Sequence, residues 1–206
     1  MLKLYYARNT CALASYIALE EAAAPYEAIR VDFGAAEQRG PEYLKINPKG
    51  RVPSLVTEWG ILTETPAILA FVAQSFPAAK LAPVDDPFSF AGIQAFNSYL
   101  CSTVHVAHAH GGRGYRWAND ETSFADMKRK VPQTMRECFT LIENNMLRGP
   151  WVCGDAYTIC DPYLFTISGW LGRDQVDITE FPKVNAHAEA MKARPAVQKV
   201  LREERA

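Results

Sequence analysis

The stretch Leu2-Lys3-Leu4-Tyr5-Tyr6-Ala7-Arg8-Asn9-Thr10-Cys11-Ala12-Leu13-Ala14-Ser15-Tyr16-Ile17-Ala18-Leu19-Glu20-Glu21-Ala22 runs from a short apolar strand through a tight loop into a helical pattern. Residues 2–6 read as the strand and residues 12–23 as the helix, which puts Cys11 at the helix N-terminus. Unpaired backbone N–H groups and the positive end of the helix dipole favour a thiolate there. The thiol pKa is then expected to fall and its nucleophilicity at neutral pH to rise. Arg8, just upstream, adds a positive charge. The position equally suits a small buried apolar residue, the usual role of a free cysteine.

Strands and helices keep alternating beyond this unit. Strands are expected at 26–31, 54–56 and 61–62, the last two flanking a Trp59-Gly60 turn, and helices at 41–46 and 66–76. This β-α-β then β-β-α order predicts a small mixed sheet with helices on its faces, because parallel strands need a crossover while a hairpin needs only a turn. Pro77 and Pro83-Val84-Asp85-Asp86-Pro87 read as a linker, dividing the chain into 1–77, a linker at 78–87, and 88–206. The second part is helical throughout. Residues 88–110 form one helix, and Phe124, Met127, Val131, Met135, Cys138, Ile142 and Met146 mark one face of a second. Pro132 should kink that helix or start a new one. Thr158-Ile159-Cys160-Asp161 resembles a capping box, with Pro162 at the first helical position. Phe181-Pro182 and Arg194-Pro195 open two short terminal helices.

With 206 residues, 49% of them hydrophobic, the chain can bury a core in one large or two small domains. A net charge of -1 and no basic stripe exclude general attraction to nucleic acid or an anionic membrane. No apolar run is long enough to span a bilayer and the N-terminus lacks a leader pattern, so a cytoplasmic protein is expected. Five widely spaced cysteines suggest reduced thiols, and Cys11-Ala12-Leu13-Ala14 lacks the second cysteine of a two-thiol redox motif.

Two further segments flank a prospective pocket. Val52-Pro53 follows the loop Asn47-Pro48-Lys49-Gly50-Arg51 and precedes a strand, where proline fits a turn or a cis bond. A cis bond would expose the Val52 N–H and C=O to an extended peptide, whereas a plain surface turn needs no ligand. In Glu64-Thr65-Pro66-Ala67-Ile68, Thr65 is a good N-cap and Pro66 a good first residue. Such a helix entrance attracts a carboxylate, and Glu64 beside it suits an ammonium group. The same residues also describe a well-capped helix and nothing more.

Taken together, strand-Cys-helix, Asn47-Pro48-x-Gly50-x-Val52-Pro53 and Glu64-Thr65-x-Ala67-Ile68 resemble the glutathione S-transferase family. The closest likeness is to its bacterial beta class, which has a cysteine at the first site, and it extends to the Thr158–Asp161 cap and Arg194-Pro195-Ala196-Val197. The resemblance implies an α/β thioredoxin-like N-terminal domain, an all-helical C-terminal domain, a homodimer, and glutathione as co-substrate with no other cofactor. By that likeness Val52 and Pro53 pair with the cysteinyl backbone of glutathione, Glu64 and Thr65 hold its γ-glutamyl end, and Cys11 faces its sulfur. His105 aligns with a histidine that points at the same sulfur, and Ser102 shares its face. The lysine that usually follows this histidine is replaced by Val106.

His105, His108 and His110 are three of only four histidines, yet no acidic or cysteine ligand completes a metal set at suitable spacing. His105 and His108 share a helix face; for His108 and His110, packing or helix-end capping is the favoured role. Arg113, Tyr115, Arg116 and Trp117 follow two glycines where the family binds its electrophile, and they suit a small hydrophobic, planar or acidic molecule. A loop packed between domains or subunits fits them equally. The expected activity is conjugation of glutathione to small electrophiles, with exchange through a mixed disulfide at Cys11. A glutathione-dependent disulfide reductase or peroxidase is the second reading, and a non-catalytic glutathione-binding scaffold a third of a different class. The loop Phe33-Gly34-Ala35-Ala36 departs from the family pattern.

Overall fold

A computed structural model describes residues 1–205. Strand β1 (Leu2–Tyr6) is followed by α1 (Ala12–Glu21), β2 (Tyr26–Arg30), α2 (Pro41–Ile46), the hairpin β3 (Ser54–Thr57) and β4 (Gly60–Thr63), and α3 (Thr65–Ser75). The sheet order is β2-β1-β3-β4. β1 pairs parallel with β2 (Leu4 opposite Ala28) and antiparallel with β3 (Leu4 opposite Leu55), which is the mixed, thioredoxin-like sheet expected. Leu4 and Leu55 are both fully buried, so the central strands carry the core of this part.

The rest is helical: α4 (Pro87–Tyr99), α5 (His105–Ala109), α6 (Glu121–Leu141), α7 (Cys160–Ser168), α8 (Pro182–Ala193) and α9 (Pro195–Arg205). Asp86 caps α4 by accepting from the Phe88 and Ser89 amides. The single helix expected over 88–110 is interrupted by a π-helical turn at Leu100–Val104, just before His105. Such a turn inserts one extra residue per winding and re-aims the side chains that follow. α6 runs through Pro132 without a fresh start. The carbonyl that Pro132 leaves without a donor belongs to Lys128, which is exposed, so water can serve it. Pro162 occupies the third position of α7 rather than the first.

α7 is apolar on every side because every side is covered: each of its residues is buried. Its entrance is held by Asp161, whose carboxylate accepts from the Thr158 amide at 2.7 Å, the Val152 amide at 2.8 Å and His187 Nε2 at 3.0 Å. The expected Thr-x-x-Asp cap is therefore made, with a histidine added from α8. α1 is buried along most of its length, packed on the sheet's side by α3 and on the other by α7 and α9.

The two halves are also fastened by polar contacts. Tyr16 donates to Glu203 at 2.6 Å, Lys199 to Glu20 at 2.8 Å, and Arg194 forks onto both oxygens of Glu21 while lying 3.8 Å from the Tyr157 ring. The Asn9 amide, in the loop before Cys11, donates to Glu204 of α9 at 3.1 Å. Among the described residues no helix is long and apolar enough to cross a membrane.

Candidate functional site

Cys11 stands at the N-cap of α1, as the sequence predicts, but its thiol is not acidified. Thr10 Oγ1 accepts from the Ala12 amide at 3.3 Å, and the Leu13 and Ala14 amides are taken by the Thr10 and Cys11 carbonyls. The donors that would have stabilised a thiolate are spent inside the chain. Burial then dominates and pushes the Cys11 thiol up to about 11, against the opposing Thr65 hydroxyl and Arg113 charge. The cation that favours the thiolate is thus Arg113, from the helical half, in place of the expected Arg8. Sγ instead donates to the Val52 carbonyl at 3.6 Å.

Val52 reaches that position through a tightly held loop. Asn47 donates from Nδ2 to the Arg51 carbonyl at 2.7 Å and accepts from the Lys49 amide at 3.1 Å. Gly50 adopts φ +60, and a Cβ there would come within 3.0 Å of the Gln38 carbonyl oxygen, so glycine is required twice over. The Val52-Pro53 peptide is cis, one of the two conformations the sequence suggests.

The third helix starts one residue earlier than expected. Glu64, at φ 72 and ψ 123, is the N-cap of α3, and Thr65 is the first helical residue. Glu64 is exposed and ion-paired with Lys49 at 2.5 Å. Thr65 is buried, and although its hydroxyl is near enough to the Cys11 sulfur to lower that pKa, it has no partner at hydrogen-bond distance among the described residues. A buried hydroxyl is rarely left so.

His105 is half-buried and rests edge-on against Trp170, centroids 4.9 Å apart. Burial and the neighbouring Arg113 lower its pKa to about 4, so at neutral pH it is an uncharged imidazole with one N–H to offer. His108 stacks on the same Trp170 at 4.5 Å and holds both oxygens of buried Asp174 at 2.8 Å. The shared face of His105 and His108 is therefore the Trp170 face. His110 stacks on Trp117 at 4.1 Å and bonds the Val106 carbonyl, a packing role. Among the described residues no three ligand-type side chains are placed to hold a metal ion. Ser102 is exposed and its hydroxyl donates to the Ser98 carbonyl at 2.8 Å.

The Arg113 charge is felt at both Cys11 and His105 and opposes the protonated form of each. Its guanidinium pKa is itself lowered by burial and by Arg116. Arg116 sits over the Tyr115 ring at 6.0 Å, and Tyr115 and Trp117 are exposed. Trp170, Lys49, Asp174 and Arg51, which also acts on His105, were not singled out by the sequence reading. Each meets the site only through folding, although the indole could have been sought as a wall for the histidine pair.

One chemical consequence is testable at once. Cys153 is exposed, and the neighbouring Cys160 thiol, together with the Thr158 hydroxyl that donates to its sulfur at 3.7 Å, lowers its pKa to about 7. Limited alkylation with iodoacetamide near pH 7 should therefore label Cys153 first. At pKa about 11 the Cys11 thiolate is about one part in ten thousand at pH 7, so its labelling should climb only as pH approaches that value. Peptide mapping that finds Cys11 modified first at neutral pH contradicts the thiol form.

Comparison with known proteins bears on the family. Residues 1–74 match the family model described as Glutathione S-transferase, N-terminal domain, and residues 107–204 the model described as Glutathione S-transferase, C-terminal domain. The chain is 29% identical to Glutathione S-transferase GstA of Escherichia coli O157:H7, with 97% of each covered. A solved glutathione transferase homologue from Sulfitobacter, with bound glutathione, is 48% identical with a TM-score of 0.95, and 98% of each chain is covered. The bacterial beta class glutathione S-transferase of Sphingomonas chungbukensis is 28% identical with a TM-score of 0.85, again with 98% of each covered.

Proposed function

Since this chain belongs to the glutathione S-transferase family, we propose that it conjugates glutathione to small electrophiles, with Cys11 acting as a neutral hydrogen-bond donor rather than as a nucleophile. The observation that carries this is the partly buried Cys11 thiol, donating to the Val52 carbonyl and held protonated by desolvation. A thiolate of glutathione brought beside it would raise the Cys11 pKa further, because two adjacent sulfur anions repel. The arrangement therefore favours one anion, on the ligand, and donors around it.

In this reading the Cys11 S–H turns from the Val52 carbonyl to the glutathione sulfur, and the neutral His105 N–H meets the same atom. Val52 and Pro53 receive the cysteinyl backbone, and the unpartnered Thr65 hydroxyl with Glu64 receives the γ-glutamyl end. Ser102 lines the same side. The glutathione thiol releases its proton to solvent, its sulfur forms the C–S bond, and the leaving group departs with the bond's electron pair. Arg113, Tyr115, Arg116 and Trp117 face the electrophile. Glutathione thus binds to residues 1–77, the electrophile is held by residues 88–206 across the 78–87 linker, and two chains form a homodimer. Thiol exchange is the weaker reading, because it needs the Cys11 thiolate that burial opposes.

Calorimetric titration with reduced glutathione tests the site. Saturable binding at micromolar to millimolar ligand is expected. Glu64→Ala should weaken it by about 10- to 100-fold, the worth of one charge-assisted hydrogen bond. Undiminished affinity in that variant would place the γ-glutamyl end elsewhere.

A further inference from the structure

A cavity of about 310 Å³ opens between α5, α6 and the 171–175 turn, on the far side of Arg113. Its walls include Arg113, Lys128 and Arg173, together with His108 and Asp174. The acid in this lining is already committed, since both Asp174 oxygens hold His108. None of the three fixed cations has a carboxylate within ion-pair distance among the described residues, whereas Arg129 and Arg136 on the same α6 pair with Asp126 and Glu180. Three unpaired cations around a concave wall are costly to bring together unless an anion joins them. Gly111, Gly112 and Lys128 also line an adjoining hollow of about 230 Å³ whose other wall holds Tyr115 and Phe124. Cationic and aromatic hollows thus meet on either side of one glycine pair.

We propose that this double hollow binds an aromatic carboxylate, its acid group between Arg113, Lys128 and Arg173 and its ring against Tyr115. The inference deepens the transferase reading by naming the class of co-substrate: a planar acid in place of a neutral electrophile. Arg113 joins the two, because it lines the cavity and its charge is also felt at Cys11 and His105. Lys128 and Arg173 would then set specificity without touching the reacting sulfur. Both are exposed, so their replacement leaves the core intact.

The test compares 3-nitrobenzoate with its methyl ester, which keeps the ring and removes the charge, by calorimetric titration of the full chain with and without saturating glutathione. The acid should bind at least about tenfold more tightly than the ester, and K128Q/R173Q should erase about tenfold of that preference while leaving ester binding unchanged. Acid and ester binding alike, or a preference that survives in the double variant, overturns the proposal. Inorganic phosphate binding as tightly as the benzoate overturns the aromatic part of it. Glutathione affinity is read in the same titrations, so loss of glutathione binding with the acid preference intact would fail the transferase reading alone.

Discussion

Asp161→Ala should lower the free energy of unfolding by about 3–5 kcal/mol, the cost of leaving several buried donors without the carboxylate that accepts from them. Asp161 and His187 are both wholly buried, and the carboxylate also receives the Thr158 and Val152 amides. Alanine would strand all these donors, and His187, whose Nδ1 has no hydrogen-bond partner among the described residues, would lose the partner of its Nε2 as well. Each stranded buried group adds about 1–3 kcal/mol. Because α7 packs on α1, α4 and α8, the loss falls on the centre of the molecule and not on one loop. Asp161→Asn keeps the shape and an acceptor oxygen, so it should cost less than alanine. Urea denaturation measures both, and a loss under about 1 kcal/mol for alanine would show that the network is compensated.

Replacing Cys11 separates the two sulfur chemistries. Cys11→Ala should reduce kcat/KM for conjugation by about 10- to 100-fold, because one donor to an anionic sulfur is worth about 1.5–3 kcal/mol. Cys11→Ser retains a hydroxyl donor and should fall by much less. Mixed-disulfide formation with oxidised glutathione, followed by mass, should vanish at this position in both. Conjugation lost equally in Ser and Ala would make the sulfur itself indispensable and would return Cys11 to the role of nucleophile. The His105 pKa of about 4 adds that kcat/KM should show no acid limb from this residue above about pH 5.

Much of the architecture could be read from local chemistry. The 2–6 strand, the 41–46 helix, the hairpin around Trp59-Gly60 and both terminal helices rest on alternation, glycine and proline, which act within a few residues. The π-helical turn before His105 left no such mark, since it depends on how Leu100 and Val104 bury against α7. The Cys11 site was legible in place but not in protonation. A helix N-terminus predicts acidity, yet Thr10 spends the donors and burial decides the sign. Desolvation is a property of the packed molecule, and the groups that oppose it, Thr65 and Arg113, come from distant parts of the chain. His108 with Asp174, and Asp161 with His187, likewise pair across separate elements with no periodicity to announce them.

The Asn9–Glu204 contact has a bearing on biosynthesis. The loop that delivers Cys11 is tied to a residue 195 positions later. While the chain is still emerging from the ribosome, the sheet can form early, because its four strands lie within the first 63 residues. The loop cannot be locked until α9 has been made and has swung back across α1, drawing Glu203 to Tyr16 as it arrives. The cysteine loop thus waits for a helix made much later, and a stalled chain would hold its cysteine without the mooring that aims it.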